Sequence, residues 1–234
     1  RADAPDALLF GNVGIVQARD MPTEDIRQMV QAVGADALCV HMNPAMELVQ
    51  PDGGDRDFSG GLQTFRRLWA ELDVPVIAKE TGNGISREVA TRLRAIGIRY
   101  ADTSGAGGTS WVGVETLRAD GDGRALGEAL WDWGIPTAAS VRYCVDAGLT
   151  TIATGGIRTG MDVARAIAFG ASCAGIARNV YKAFIEGGID GAKGFLLQVE
   201  RELRSIMLLC GARTIEELQR SPRIITGELR DWLG

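Results

Sequence analysis

The chain has 234 residues, 25 Lys+Arg against 30 Asp+Glu for a net charge of −5, and 46% hydrophobic residues beside 24% charged ones. This is the balance of a soluble globular chain, without the basic footprint of a general nucleic-acid binder. No apolar run approaches the ~18 residues of a membrane span, and no signal-peptide pattern opens the sequence. The four cysteines, at 39, 144, 173 and 210, contain no C-x-x-C pair, which favours buried free thiols in a reducing compartment over a disulfide frame or a zinc site. With one histidine, His41, chemistry that needs two imidazoles is excluded. The 31 glycines make about 13% of the chain where ~7% is usual, so close backbone approaches are expected.

Short β-rich apolar runs alternate with helical patterns, the signature of repeated βα units and a parallel sheet. Strands are predicted at Leu8–Val13, Ala37–His41, Pro75–Lys79, Arg99–Thr103, Thr150–Ala153 and Cys173–Ile176, mostly as continuous apolar runs covered on both faces. Ser86 is placed to cap a helix over Arg87–Ala95 that stops at Gly97. Pro136 suits the first turn of Thr137–Asp146, which stops at Gly148. Thr159 with Asp162 resembles a capping box for a helix ending at Gly170, and Thr214 to Glu217 forms another. No linker or low-complexity tract divides the chain, so a single domain is expected.

Strand, glycine-rich turn and helix fit either a doubly wound sheet or a (β/α)8 barrel. The late pair Thr154–Gly160 and Gly175–Arg178 favours the barrel, where the loops after strands 7 and 8 commonly hold phosphate. The first strand is then strand 3 of a barrel, and this chain covers strands 3–8. The opening Arg1-Ala2-Asp3-Ala4-Pro5 has no initiator methionine, and a longer native product is expected, because six strands leave raw edges.

Gly155 and Gly156 read either as a bare turn or as backbone that lets N–H groups approach an anion, with Arg158 adding charge. The second small-residue turn twenty residues on favours the anion. Lys79 ends an apolar strand; it is either a solvent-facing lysine or a cation in the mouth of the barrel. The loop Asp102–Trp111 carries hydroxyls and bare backbone suited to a polar ring edge. The densest cluster is His41-Met42-Asn43-Pro44-Ala45-Met46-Glu47, offering a general acid/base, an amide donor and a carboxylate for Mg²⁺. The charged stretch Gln50–Phe58 reads as a solvated turn.

Further motifs are Ala4-Pro5-Asp6-Ala7-Leu8-Leu9, His41-x-Asn43-Pro44, Gln50-Pro51 with Asp55-Arg56-Asp57-Phe58, and Lys79-Glu80 through Gly84-Ile85-Ser86-Arg87-Glu88. Gly105-Ala106-Gly107-Gly108-Thr109-Ser110-Trp111, Trp133-Gly134-Ile135-Pro136-Thr137, Gly155-Gly156-Ile157-Arg158 and Thr226-Gly227-Glu228-Leu229 continue the series. In this order they resemble type 2 isopentenyl-diphosphate isomerase, an FMN-dependent barrel family. The resemblance implies that Asn12, Lys79, Ser104 and Thr109 contact the flavin and that Gly155, Gly156, Arg158, Ala177 and Arg178 line its phosphate site. It places His41 and Asn43 at the substrate and Glu47 on Mg²⁺ against the diphosphate. The family moves an allylic proton on reduced FMN, with NADPH keeping the flavin reduced.

Three departures stand out. Met46 occupies the family's substrate-contacting glutamine position, and a thioether neither donates nor usefully accepts a proton. One glycine of Gly53 and Gly54 is extra, and the family's N-terminal segment has no counterpart in this sequence. The expected protein is a cytoplasmic homo-oligomer acting on an isoprenyl diphosphate, with neither nucleic acid nor membrane as partner. Other readings are a 2-hydroxy-acid oxidase, disfavoured because the Asp102–Trp111 loop lacks a histidine and arginine, and a flavin-binding homologue without isomerase activity.

Overall fold

Period-two alternation decides where each strand side chain points. In the computed structural model, which describes residues 5–51 and 54–234, Val13, Leu38, Val40, Val76, Ala78 and Ala101 point into the helical layer, among Ile15, Ile26, Phe65, Leu68 and Leu93. The alternate residues Ala37, Cys39 and Ile77 pack with Ile152 on the opposite face. The sheet is thus apolar on both sides, which requires helices outside and a closed or curved interior within.

β1 (Phe10–Gly14) leads to α1 (Ile15–Asp20) and α2 (Thr23–Val33); β2 (Ala37–Met42) to α3 (Pro44–Val49) and α4 (Gly61–Glu71); and β3 (Val76–Glu80) to α5 (Arg87–Ala95). β4 (Tyr100–Asp102) leads to α6 (Trp111–Arg118), α7 (Gly121–Ala129) and α8 (Thr137–Asp146); β5 (Thr150–Ala153) to α9 (Gly160–Ala168); and β6 (Cys173–Ala174) to α10 (Arg178–Leu209), α11 (Ile215–Gln219) and α12 (Glu228–Leu233). All pairs are parallel, in the order β1-β2-β3-β4-β5-β6, which leaves β1 and β6 at the sheet edges. Sequential parallel pairing with helical crossovers is the order of a (β/α) barrel and not of a doubly wound sheet.

All six predicted strands are present, Thr150–Ala153 with its predicted bounds and the others with shifted ends. β1 starts late because Leu9 N donates to Asp36 Oδ2 (2.8 Å). β4 is shorter than Arg99–Thr103 because the chain turns at Ser104, whose φ is +34°. Ser86, Thr159 and Thr214 accept from Val89 N, Asp162 N and Glu217 N, each at 3.2 Å, as caps should. The return bonds reach one residue further back than an ideal capping box: Asp162 accepts from Arg158 N and Glu217 from Arg213 N.

Two features correct the sequence reading. Cys39 and Cys144 are buried, whereas Cys173, on the edge strand β6, and Cys210, at the end of α10, are exposed. The long α10 was not anticipated, because Gly187 and Gly188 (φ −141° and +61°) interrupt its helical geometry. It has no buried residue and rests on α9 through half-buried Val199, Leu203 and Ile206. Gly54 has no room for a side chain, since a Cβ there would meet Gln50 Oε1 at 2.7 Å and overlap Glu47; Gly53, like Ala4, lies outside the described residues.

Glycine is needed where two loops meet backbone to backbone. Gly155 (φ +98°) abuts Gly105, and a Cβ there would lie 2.6 Å from Gly105 N. Gly148 also has φ +80°, yet its nearest neighbour is Arg94 Nε at 3.5 Å. Gly148→Ala should therefore cost the left-handed penalty of about 1–2 kcal/mol. Gly155→Ala should exceed it by at least about 1 kcal/mol through overpacking. Urea unfolding of both variants measures the difference, and equal losses would refute the contact.

Candidate functional site

Strand register assembles the site. Gly14 pairs with His41, His41 with Lys79 and Lys79 with Asp102, so four consecutive strands end at one level. These residues continue the interior-facing alternation of Cys39 and Ile77, and they stand at the C-terminal ends, where barrel sites form. Lys79 Nζ lies 2.9 Å from Asp102 Oδ2, with Asp102 nearly buried. Thr154 Oγ1 donates to the other Asp102 oxygen and accepts from Ser104 N at 2.9 Å. The cation, its counter-ion and the turn after β5 are thus one hydrogen-bonded unit.

His41 is half-buried, and Asn12 Nδ2 lies 3.2 Å from its Nδ1. Burial holds the imidazole pKa below its ordinary 6.5; Glu47 opposes the shift and Lys79 reinforces it. Burial thus favours the neutral ring. Pro44 begins α3, so Asn43 falls just before it, buried, and donates from Nδ2 to Glu47 Oε1 at 2.6 Å. Glu47 Oε2 accepts from Asp55 N (3.0 Å), which closes the 54–59 loop over the carboxylate. Met46 is half-buried on α3, and its carbonyl accepts from Gln50 N at 3.2 Å. Among the described residues no cluster of three or more His, Cys, Asp or Glu could hold a metal. Glu47 is a lone carboxylate with lone pairs to spare, a donor that suits Mg²⁺ when substrate oxygens and water complete the shell.

The flavin candidates occupy the same mouth. Asn12 sits on β1 one level below the His41 row, paired with Cys39. Ser104 is the one non-glycine of positive φ among the described residues, a strained conformation of about 1–3 kcal/mol that neighbours must hold. Its carbonyl accepts from Gly82 N (2.8 Å) and Gly84 N (3.2 Å). Thr109 is exposed, with its carbonyl over Gly82.

At the predicted phosphate site, β5–β6 pairing brings Gly155 and Gly156 beside the turn that ends in Ala177 and Arg178. Gly156 has φ +81° and packs on Gly107 and Gly108, so these glycines also serve loop packing. The α9 N-terminus is already occupied: Asp162 takes Arg158 N, and Glu202 takes Gly160 N at 2.7 Å. Two carboxylates there oppose an anion. Exposed Arg178 and the first N–H groups of α10 are the better receivers, with Arg158 exposed beside them.

Sequence reasoning passed over Asp102, Thr154, Glu80 and Glu115. Glu115 is buried on α6, and Arg118 Nη1 bonds both its oxygens (3.1 and 3.0 Å), an i,i+3 pairing visible in the sequence. Glu80 follows inward Lys79, so alternation sends it outward, into the protein. There Oε2 accepts from Thr81 N (2.6 Å), Asn83 N (2.6 Å) and Gly84 N (3.2 Å), and desolvation still pushes its pKa to about 7. Glu80 borders an apolar cavity of about 600 Å³ with Met42, Ile85, Trp133 and Trp232, separate from His41, Lys79 and Glu47.

Residues 15–225 match the FMN-dependent dehydrogenase family, and the chain belongs to it. It is 46% identical to an isopentenyl-diphosphate delta-isomerase of Thermococcus onnurineus over 98% of this chain and 63% of the relative. It is also 46% identical to the same enzyme of Methanothermobacter thermautotrophicus, over 100% of this chain and 65% of the relative. The chain thus spans about two thirds, 63–65%, of the length of these relatives. A mandelate oxidase structure superimposes with a TM-score of 0.60 at 20% identity, covering 87% of this chain and 59% of that one, which shows the fold alone. The family resemblance read from the motifs is borne out.

Glu80 carries a pH signature. An acid whose folded pKa is raised, from 4.5 to about 7, loses stabilisation as pH rises through that window, because the unfolded chain releases its proton first. Relative to the parent, Glu80→Gln should gain up to roughly 3 kcal/mol between pH 4.5 and 7 and then level off. Denaturant unfolding of both proteins across this range checks it; a pH-independent difference would place the carboxylate in water.

Proposed function

We propose that this chain carries the site of an FMN-dependent isomerase that interconverts isopentenyl and dimethylallyl diphosphate. The observation behind this reading is the convergence of His41, Lys79 and the Asn43–Glu47 pair on one interior mouth, in a chain 46% identical to enzymes of that name. When bound and reduced, FMN supplies the acid–base chemistry that moves the allylic proton. The residues present fit it. Lys79, fixed by Asp102, offers one positive charge at the mouth, and Asn12, Ser104 and Thr109 offer polar atoms at a ring edge. Gly155, Gly156, Arg158, Ala177 and Arg178 would take the phosphate. His41 and Asn43 would face the substrate, and Glu47 would hold Mg²⁺ against the diphosphate. NADPH as reductant, homo-oligomeric assembly and a cytoplasmic setting belong to the same reading. Among the described residues no helix is long and apolar enough to cross a membrane.

A 2-hydroxy-acid oxidase is the weaker reading, because the 102–111 loop carries no histidine or arginine. A flavin protein without isomerase activity is favoured by one observation, the thioether of Met46 beside Glu47. An assay with reduced FMN, Mg²⁺ and isopentenyl diphosphate separates the readings: flavin binding with dimethylallyl diphosphate formed supports isomerisation, and flavin binding with none formed in any variant supports its loss.

Two variants sharpen the test. Glu47→Gln should weaken diphosphate binding in Mg²⁺ and change little without the metal; equal affinities in Mg²⁺ would remove Glu47 from the site. Losing one acid/base group costs roughly 10²–10⁴ in rate. Met46→Gln, tested with the complete N-terminal part present, should therefore raise turnover at least about tenfold, or ~1.4 kcal/mol of barrier. Equal turnover of parent and variant would show the amide to be dispensable.

A further inference from the structure

We infer that Gln17 is a positioning residue for His41, fixing the imidazole as its Nε2–H tautomer and tying it through Asp55 to Glu47. Gln17 stands on α1, three residues after Gly14, which pairs with His41 across β1 and β2. Its Nε2 donates to Asp55 Oδ2 at 2.8 Å. An ionised carboxylate only accepts, so the nitrogen of the amide must face Asp55 and the carbonyl oxygen must face away from it. That oxygen sits where a Cβ of Gly14 would be, and His41 Nε2 lies 3.3 Å from the same point.

The other ring nitrogen closes the argument. An amide nitrogen can only donate, so Asn12 Nδ2, 3.2 Å from His41 Nδ1, requires a bare acceptor there. The neutral ring then carries its proton on Nε2, on the side of the Gln17 carbonyl. The Nδ1 end of the imidazole thus meets the Asn12 amide nitrogen, the Nε2 end lies on the side of the Gln17 carbonyl, and the Gln17 amide cannot be flipped without breaking its bond to Asp55. Asp55, which holds Gln17, also donates its N–H to Glu47 Oε2 (3.0 Å), so one chain of bonds runs from the imidazole side of the mouth to the carboxylate side. Gly14 is glycine for this reason: its φ of −71° and ψ of 148° suit any residue, yet a side chain there would displace the Gln17 amide. Tautomer control by the partner of the second ring nitrogen is a general property of histidine.

The catalytic meaning of this arrangement rests on the isomerase reading; the tautomer itself does not. Because the chain has one histidine, ¹⁵N labelling gives a single, assigned pair of ring nitrogens. Above the imidazole pKa, the parent should show a protonated Nε2 and an unprotonated Nδ1. Gln17→Leu and Gly14→Ala should each draw the two signals together as the tautomers mix, and Gln17 is exposed, so neither change empties the core. Unchanged signals in Gln17→Leu overturn the inference, and so does a shift in Gln17→Leu with Gly14→Ala silent. In the isomerase assay, Gln17→Leu should lower kcat roughly ten- to a hundredfold with little change in KM. Tautomer shifts in proteins that show no isomerisation at all would instead refute the functional reading and leave this one standing.

Discussion

The ion pair between Lys79 and Asp102 is the constraint around which the mouth of this barrel is organised. It joins neighbouring strands at their C-terminal ends, and Thr154 extends it to a third. An exposed pair of this kind contributes little, because water screens both charges. Here Asp102 is nearly buried, so removing Lys79 would strand a carboxylate with little solvent to receive it. The consequence is positional: the ion pair presents the lysine charge at one place, level with His41. That placement follows from parallel register alone, since a slip of one residue would turn Lys79 into the helical layer and Glu80 into the mouth.

Close backbone contacts around this pair complete the site. The loop at Gly105–Gly108 lies directly on Gly155 and Gly156, and Thr137 Oγ1 donates to Gly155 O at 2.6 Å. Ser104 is held in its positive-φ conformation from both sides, by Thr154 through its N–H and by Gly82 and Gly84 through its carbonyl. Glu80 holds the turn after β3 from outside, gathering the N–H groups of Thr81, Asn83 and Gly84. The turn after β3, the turn after β4 and the turn after β5 are therefore mutually fixed. A ligand entering the mouth meets groups that need little rearrangement, which is the physical content of preorganisation.

The parts that were legible in the sequence are those written in local chemistry. Ser86, Thr159 and Thr214 announce helix starts because the cap is a contact over three residues. The strands show as apolar runs, and His41, Asn43, Glu47 and Lys79 stand out because reactive side chains end those runs. The rest depends on contacts that no window contains. Asp102 became the partner of Lys79 through register across 23 residues, and Glu202 occupies the α9 N-terminus from 42 residues away. Alpha10 was hidden by its own glycines, which reset the helical period at Gly187 and Gly188. The burial expected of all four thiols failed at Cys173 for a topological reason, since β6 is an edge strand.

The two arms of the site are built by different means, and this bears on what Met46 can change. The Lys79 arm is made by strand register and by bonds between strand ends, all distant in sequence. The Glu47 arm is made within a single helical turn, where Asn43 and Glu47 meet at i,i+4 and the 54–59 loop folds over them. A substitution at position 46 acts on the second arm without touching a bond of the first. Met and Gln are similar in length and both tolerate a helix, so the backbone of α3 has no reason to move. What changes is the capacity of the side chain at that position to donate or accept a proton. In the proposed isomerase, flavin binding at the mouth and proton transfer beside Glu47 would therefore be separable, the first resting on strand register and the second on one helical turn.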